Sequence, residues 1–328
     1  MTVALDTTRA TLLDLMKSKD PNGQAAKLVE MLSARSELLK FLAFREGNLT
    51  TGHRVSSRTA LPSVTWRRLN EGVPASKSVR TQFDEVCGTV SGRSEVDVKL
   101  VELEGGAAFR QQEDEGFLQA MNKEVSQGMF YHDARVDPKK FTGLASRFDA
   151  TADPQGGQIV KHTAAASGSD QTSIWFVVTS TDTVFGFYPK GTPGGLKMTD
   201  MGKQNVNDAA GNPYLAWQTW WDWSIGLCVR DWRYVARVGN IDLSAISKTA
   251  DDLIPAMIDA WHRLEDTVSG RVGIFANRNV SAYLHHQARN KVASQLVLAD
   301  VEGKPKLTFM GAPILIDDGI LNTEDVIT

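Results

Sequence analysis

Residues 220–242 have the sequence WWDWSIGLCVRDWRYVARVGNID, and this stretch indicates the class of fold. Over residues 221–229 every second residue is apolar, which is the period of a β-strand with one buried face. Over residues 232–238 the apolar residues occupy the other parity. We therefore predict a long strand in this stretch, interrupted by a β-bulge at Arg230 and Asp231.

The flanking sequence in the second half alternates between strand and helix patterns. The apolar run IWFVV begins a predicted buried strand over residues 174–179, and the Gly/Pro-rich residues 189–195 predict a loop. Ser244 is the predicted cap of a helix in which Pro255 marks either a kink or a new start. The remaining predicted elements are a helix over 279–290, a hairpin over 295–310 that turns at 302–305, and a strand over 313–316. A mixed α+β protein is expected.

The first half begins with helical patterns and ends with a longer one. Apolar residues at three-to-four spacing predict helices over residues 8–16 and 24–44, and Glu113 opens a third pattern that continues to Met129. Residues 89–94 are predicted as a turn before a strand, because Val96, Val98 and Leu100 alternate with polar residues. Residues 150–157 contain Gly and Pro and form a candidate domain boundary.

Composition excludes several classes of protein. The 328 residues include 36 Lys and Arg against 39 Asp and Glu, and a net charge of -3 does not fit a polybasic nucleic-acid binder. The longest apolar runs are far shorter than the roughly 20 residues that span a bilayer, so no membrane partner is expected. Cys87 and Cys228 lie far apart without further Cys or His neighbours, which indicates reduced thiols and a cytoplasmic site of synthesis.

The sequence contains no convincing catalytic, metal-binding or phosphate-binding pattern. The residues weighed for such roles are Cys87, the glycine-rich segment 191–197, Asp251 with Asp252, His285 with His286, and Asp317 with Asp318. None has the spacing of a nucleophile with its base, of a zinc site or of a P-loop. We therefore expect no catalysis, no metal and no cofactor.

Residues 52–80 stand out by charge. They hold six basic residues and one acid, Glu71, with few large apolar residues. Three interpretations remain open: a solvated surface loop, a segment in which Trp66 and its neighbouring arginines hold single-stranded nucleic acid, and a loop that contacts an acidic surface of another copy. A length of 29 residues disfavours the first interpretation.

Three segments resemble one known family. Residues 129–147 contain MFYHD followed by PKKFTGLxxR, residues 226–242 contain GLCVRDWRYVARVGNID, and the C-terminal part contains NRN at 277–279, QARNK at 287–291, FMGAPI at 309–314 and GILNTE at 319–324. In this order they resemble the major capsid proteins of short-tailed double-stranded DNA phages. His132 stands where that family commonly has glycine.

The resemblance implies the Hong Kong 97-type capsid fold. Its expected parts are a helical N-terminal arm (1–46), an extended loop (47–108), a spine helix with the peripheral domain (109–156), and an axial domain with returning peripheral strands (157–328). Within them residues 113–130 would be the spine helix. Gly47 and Gly52 are the expected hinges of the loop, and Arg54, Arg58, Arg67 and Arg68 its expected contacts with a neighbouring subunit.

The implied function is structural. The protein would assemble with itself, as pentamers and hexamers, into an icosahedral shell that encloses double-stranded DNA without sequence-specific binding. A portal protein and a scaffold or cement protein would be further partners, with assembly in the bacterial host cytoplasm and a final location in the virion capsid. Two alternatives remain: an encapsulin-like compartment with the same shell fold, and a mixed α/β enzyme that uses Asp317 or Asp251.

Overall fold

A computed structural model describes most of the chain. The described residues are 10, 36–103, 106–152, 154–162, 168–208, 210–246, 253–289, 296–301 and 304–327. Within them helices and strands are mixed in the order of an α+β protein, as the sequence predicts. The helices predicted over 8–16 and over most of 24–44, together with Asp251, lie outside the described residues.

The helices and strands have the following bounds. The α-helices are α1 (Glu37–Phe41), α2 (Val98–Glu102), α3 (Gly106–Tyr131), α4 (Ile254–Arg263) and α5 (Arg278–Arg289). The strands of the first half are β1 (Phe44–Glu46), β2 (Gly52–Ala60), β3 (Val79–Val86) and β4 (Gly88–Asp97). The later strands are β5 (Ile159–Lys161), β6 (Gln171–Thr179), β7 (Val184–Tyr188), β8 (Leu196–Asn207), β9 (Pro213–Val229), β10 (Val235–Asp242), β11 (Arg271–Ala276), β12 (Leu296–Val301), β13 (Lys304–Phe309) and β14 (Ala312–Ile316).

Strand β6 is the centre of the fold, and all nine of its residues are buried. It pairs with β10 on one side and with β11 on the other, both antiparallel. Alternate side chains face two separate cores. Phe176 packs in the core that α4 and α5 cover, whereas Trp175 packs against the C-terminal part of α3. Burial on both faces explains the continuous apolar run in the sequence.

A second, peripheral sheet extends away from this centre. The 17-residue β9 pairs along its length with β4 on one side and with β8 on the other. Helix α3 lies across one face, where Phe117 approaches so closely that a Cβ at Gly92 would be 3.2 Å from its ring. The same β9 also pairs with β7, so one strand joins the peripheral sheet to the central one.

The predicted boundary feature at Arg230 and Asp231 is wrong. The predicted β-bulge at Arg230 is instead a turn of 3-10 helix, Trp232–Tyr234, which separates β9 from β10. The side chain of Asp231 accepts a hydrogen bond from the backbone N–H of Arg233 and so caps this turn. Strand β10 then joins β5 and β6, so the change in parity marks a change of partners.

The segment before the long helix also differs from its prediction. Residues 89–94 are strand rather than turn, and Val98 begins helix α2 rather than continuing a strand. The Asp97 carboxylate caps α2 by accepting a hydrogen bond from the Lys99 N–H. Helix α1 ends at Phe41, and Phe44 already belongs to β1, so the helix predicted to reach Phe44 is shorter.

The other predicted elements of the described chain are confirmed with small shifts. The spine helix begins at Gly106 and ends at Tyr131, so it is longer than predicted. The predicted loop over 189–195, strands β6 and β14, helix α5, and the hairpin of β12 and β13 are all present, the hairpin turn at 302–303 lying outside the described residues. Pro255 occupies the first turn of α4, which confirms the alternative that a helix starts there and not the alternative of a kink.

Candidate assembly surface

Strands β2 and β3 form a hairpin that projects beyond the two sheets. They pair only with each other, from Gly52 opposite Val86 to Ala60 opposite Val79. Residues 61–77, which we call the tip, are all exposed. Trp66 is 102% exposed and Leu69 is 94% exposed. Among the described residues, the tip therefore has no contact partner that could shield these side chains from water.

The four arginines predicted to contact a neighbour lie along this hairpin in different environments. Arg54 makes a bidentate ion pair with Asp84 across the two strands, at 2.7 Å for both hydrogen bonds, and this contact keeps the pKa of Asp84 below its ordinary value. Arg58 lies directly opposite Arg80 in the register. In the described part of the chain, the guanidinium groups of Arg58, Arg67 and Arg68 have no carboxylate partner.

A buried ion pair fixes the base of the hairpin to the rest of the subunit. Arg147 makes two hydrogen bonds with the carboxylate of Glu85 in β3, at 2.6 and 2.7 Å. The same guanidinium donates to the backbone oxygens of Thr142, Gly143 and Leu227. Arg147 is the last residue of the PKKFTGLxxR motif, so the motif serves to anchor the loop.

His53 is buried beside this anchor. Its ring packs against the aromatic rings of Phe185 and Phe187, with centroids 5.5 and 5.7 Å apart. The Asn48 N–H approaches Nδ1 at 3.3 Å, and the Arg45 guanidinium approaches Nε2 at 3.0 Å. Two donors therefore face the ring, and burial together with the Arg45 charge lowers the pKa of His53.

Gly47 and Gly52 lie where neighbouring backbone approaches closely. A Cβ at Gly52 would be 2.1 Å from the carbonyl oxygen of Glu85, and one at Gly47 would be 2.6 Å from the oxygen of Gly52. The Gly47 N–H also donates to the Tyr188 oxygen at 2.8 Å. Close approach is thus sufficient reason for glycine at both positions, and their role as hinges stays a prediction.

The three capsid-like segments of the sequence meet in one buried network. Arg237 of β10 forms a 2.8 Å ion pair with Glu324, and both side chains are 4% exposed. Tyr131, at the end of α3, and Ser173 of β6 also hydrogen-bond to this carboxylate. Burial and the neighbouring carboxylate raise the pKa of Tyr131. The network therefore joins the spine helix, the central sheet and the C-terminal segment.

Asp317, which the enzyme alternative requires, has a structural role. It is fully buried, and its carboxylate accepts hydrogen bonds from the Leu38 N–H at 2.8 Å, the Gly319 N–H at 2.9 Å and the Ser126 hydroxyl at 3.0 Å. Burial raises its pKa above the ordinary value. A carboxylate whose oxygens are occupied and shielded has no access to a substrate.

The other groups weighed for chemistry are also ordinary in their surroundings. Cys87 and Cys228 are free thiols, and burial raises the pKa of each to about 12, so neither is a reactive thiolate. His285 and His286 are exposed on α5. Among the described residues, no group of three or more metal-ligating side chains could hold an ion, and no described helix is long and apolar enough to cross a membrane.

Comparisons with known proteins agree with this architecture. A family model described as Major capsid protein GP7 matches residues 20–328. A chain of the near-atomic-resolution structure of bacteriophage Epsilon15 is 30% identical, with a TM-score of 0.78, and the alignment covers 100% of this chain and 99% of that one. The capsid of bacteriophage JBD30 is 10% identical, with a TM-score of 0.52, covering 88% and 92%. No curated protein sequence matches the chain significantly.

The fold and these similarities define the class as a phage shell protein with the Hong Kong 97-type capsid fold. Because the family model spans nearly the whole chain, the chain belongs to the Major capsid protein GP7 family. It is a major capsid protein that forms the shell of a phage head, and thus a structural component of the virion rather than an enzyme. Capsid proteins of this kind self-assemble into icosahedral shells.

Two groups at the hairpin base were missed by sequence reasoning. Glu85 was not singled out, although an arginine inside a fold motif commonly needs a carboxylate partner. His53 gave no signal, because its neighbours Phe185 and Phe187 are more than 100 residues away in the chain. Trp66 was weighed only for nucleic acid, and its complete exposure is visible only in the structure.

Proposed function

We propose that the hairpin of β2 and β3 is the extended loop through which each subunit of the shell contacts its neighbour. The observation that carries this proposal is the tip, in which 17 successive residues are exposed and include Trp66 and two unpaired arginines. Standard protein interfaces use roughly 20–30 residues on each side and are enriched in Trp and Arg. A tip of this size and composition fits such an interface.

The distribution of charge supports a second copy of the chain as the partner. The chain has 36 basic and 39 acidic residues, and residues 52–80 hold six of the basic and one of the acidic residues. The rest of the chain therefore has 30 basic and 38 acidic residues, a net charge of -8 against +5 for the segment. Opposite charges of this size steer one copy toward another.

We further propose the finer identity that the sequence resemblance suggests. The phage is short-tailed, and its capsid protein is similar to that of a Bordetella podophage. The subunits form pentamers and hexamers around double-stranded DNA, with a portal protein and a scaffold or cement protein as partners. An acidic body supports enclosure of the DNA without tight binding by the wall, because neutralising phosphates requires positive charge there.

Within the loop, Arg58, Arg67 and Arg68 are the proposed contacts with carboxylates of the neighbour. Arg54 differs from them, because its Nε and Nη2 already donate to the carboxylate of Asp84 in its own hairpin. Its proposed part is to hold the two strands together. The hairpin can then present the other three side chains at a distance from its own body.

Charge reversal at the tip tests this proposal. The variant that combines Arg67→Glu and Arg68→Glu should remain soluble and folded, because both residues are exposed and neither guanidinium has a carboxylate partner among the described residues. It should form few shells, since attraction becomes repulsion at every copy of the contact. Sedimentation of the assembling protein beside the wild type measures the fraction in shells, with any phage scaffold present in both samples.

A charge-conserving variant is the matched control. Arg67→Lys with Arg68→Lys keeps the two positive charges and should retain most assembly. Normal assembly of the glutamate variant would contradict the loop contact. Normal shells that hold less DNA would instead favour the nucleic-acid interpretation of the segment.

A further inference from the structure

A surface cleft lies beside the base of the loop. It has a volume of about 240 Å³ and is bounded by the first residues of β4, by α3 and by residues 137–141. Its apolar lining residues are Val90, Val125, Phe141 and Ile225. The volume is enough for an indole ring. Strand β4 is an edge strand of its sheet, and the outer edge of β4 borders the cleft.

One wall of the cleft is formed by His132, which stands where the family commonly has glycine. The His132 ring packs on Phe141 with centroids 5.4 Å apart, and Nε2 lies 3.2 Å from the Glu124 carboxylate. Gly128 leaves room for the ring, because a Cβ there would be 2.4 Å from it. With glycine at 132 the wall would be missing, so the shape of the cleft is specific to this sequence.

The mouth of the cleft is polar and electrically balanced. It has the carboxylates of Glu124 and Asp137 and the ammonium groups of Lys139 and Lys140, of which Lys140 lies 3.4 Å from Glu124. A ligand with an apolar body and a hydrogen-bond donor at its rim matches this arrangement. An indole has both, because its ring is apolar and its N–H can donate to a carboxylate.

We propose that the cleft receives the Trp66 side chain from the loop of a neighbouring copy. This inference rests on the proposed function of the loop and names the surface that the tip contacts. Trp66 is completely exposed and lies between two arginines and the exposed Val64. A buried Trp flanked by Arg is the typical residue set of an interface hot spot.

The geometry of the hairpin excludes the cleft of the same subunit. Strand β3 has eight residues and ends at Val86, two residues before the cleft begins at Gly88. An eight-residue strand is roughly 25 Å long and leads the hairpin away from the cleft, and Trp66 is fully exposed instead of lying in the cleft of its own subunit. The proposed contact is therefore made by the loop of one copy with the next copy, and such a contact between unlike surfaces generates a ring when its rotation closes.

Removing the Trp and filling the cleft test the two sides of this contact. Trp66→Ala removes the occupant, and Glu124→Trp places a ring over the mouth of the cleft, because the Glu124 side chain is directed at His132 and Lys140 there. Each should raise the concentration at which shells form by roughly thirtyfold or more, as expected for a hot spot. The double variant should be no worse than the poorer single variant, because both remove the same contact.

A control variant and the contrary outcomes distinguish failure of the cleft contact from failure of the loop contact on which it rests. Glu124→Gln keeps the size of the side chain and an oxygen that can accept a hydrogen bond, and it should assemble normally. If Trp66→Ala fails while Glu124→Trp assembles normally, the cleft is the wrong surface although the loop contact stands. If the double variant loses as much assembly as the two single variants together, the cleft is not the surface that Trp66 contacts. If Trp66→Ala itself assembles normally, the proposal is overturned, and the charge-reversal variant decides whether the loop contact stands.

A cross-link gives a readout independent of yield. Cysteines introduced by Trp66→Cys and Glu124→Cys should form disulfides between subunits in assembled shells on mild oxidation, giving covalent multimers up to the ring size. The native thiols of Cys87 and Cys228 are poorly reactive by comparison, because burial raises their pKa to about 12. Pairing Trp66→Cys with Val268→Cys, at an 88% exposed site that does not line the cleft, should give none. Equal cross-linking of both pairs, or of neither, contradicts the proposal.

Discussion

Single residues of this protein differ sharply in what their charges do. Arg237 and Glu324 are both 4% exposed and satisfy each other's charge among aromatic and hydroxyl groups. The Arg237 guanidinium also lies 4.8 Å from the Trp175 ring and donates to the Phe148 carbonyl oxygen. By contrast, Arg278 pairs with Asp318 while remaining 67% exposed. The same chemical pair therefore has a structural role in one place and little consequence in the other.

Replacing Arg237 tests that difference. Arg237→Met leaves the Glu324 carboxylate buried without its counter-charge, which costs about 3–5 kcal/mol of unfolding free energy. Urea unfolding of the unassembled subunit measures the loss. Arg278→Met is the matched control and should leave the midpoint unchanged, because water screens its pair. Equal effects of the two substitutions would contradict the assignment of the buried network as the joint between the three motif segments.

At the scale of elements, the hairpin of β2 and β3 combines a fixed base with an unsupported end. The base is fixed by the Arg147–Glu85 pair and by backbone hydrogen bonds, including Leu49 N–H to Gly52 oxygen at 3.2 Å. The tip has only local contacts, such as the Ser76 hydroxyl to the Ser63 oxygen at 2.7 Å. Such a division lets one element be stiff where it leaves the subunit and adaptable where it meets another.

Two glycine substitutions test this division. Gly52→Ala would bring a Cβ to 2.1 Å from the Glu85 oxygen, so β2 and β3 must separate at the base, at a cost of about 1–3 kcal/mol. Gly72→Ala is the control, because nothing lies within 4 Å of a Cβ there. Urea unfolding should show a lower free energy of unfolding for Gly52→Ala and no change for Gly72→Ala. If Gly52→Ala leaves the free energy of unfolding unchanged, the base is more mobile than its contacts indicate, as expected of a hinge.

At the scale of the whole molecule, folding and assembly use different parts of the chain. The two cores that flank β6 contain residues from β10, β11 and the helices, but none from the tip. The tip has the exposed apolar and basic side chains that a neighbour would bury. Stability of the subunit and affinity between subunits should therefore respond to separate changes.

Shortening the loop tests this separation. Replacing residues 61–78 with Asn-Gly joins Ala60 to Val79, which already face each other in the register, through a two-residue hairpin turn. The subunit should unfold at the same or a higher urea concentration, because no core contact is lost and the chain is shorter. It should form no shells by sedimentation. A Gly/Ser segment of the original length is the control for chemistry, and shells from either variant would contradict the role of the tip.

The sequence by itself determined the features that depend on local periodicity. The alternation over 221–229, the apolar run in β6 and the four-residue spacing in α3 were sufficient to predict those elements, because each pattern follows from one element burying one or both faces. The resemblance of three motif segments also predicted the capsid fold and shell function, which the family match confirms.

Tertiary structure decided what depends on distant partners. The bulge predicted at Arg230 is a 3-10 turn because β9 and β10 pair with different strands, and the strand predicted through Val98 ends because Asp97 caps a helix. The pairing of Arg147 with Glu85, and of Arg237 with Glu324, joins residues 62 and 87 positions apart. Periodicity reports which face of an element is buried but not against what, so only the folded chain shows these contacts.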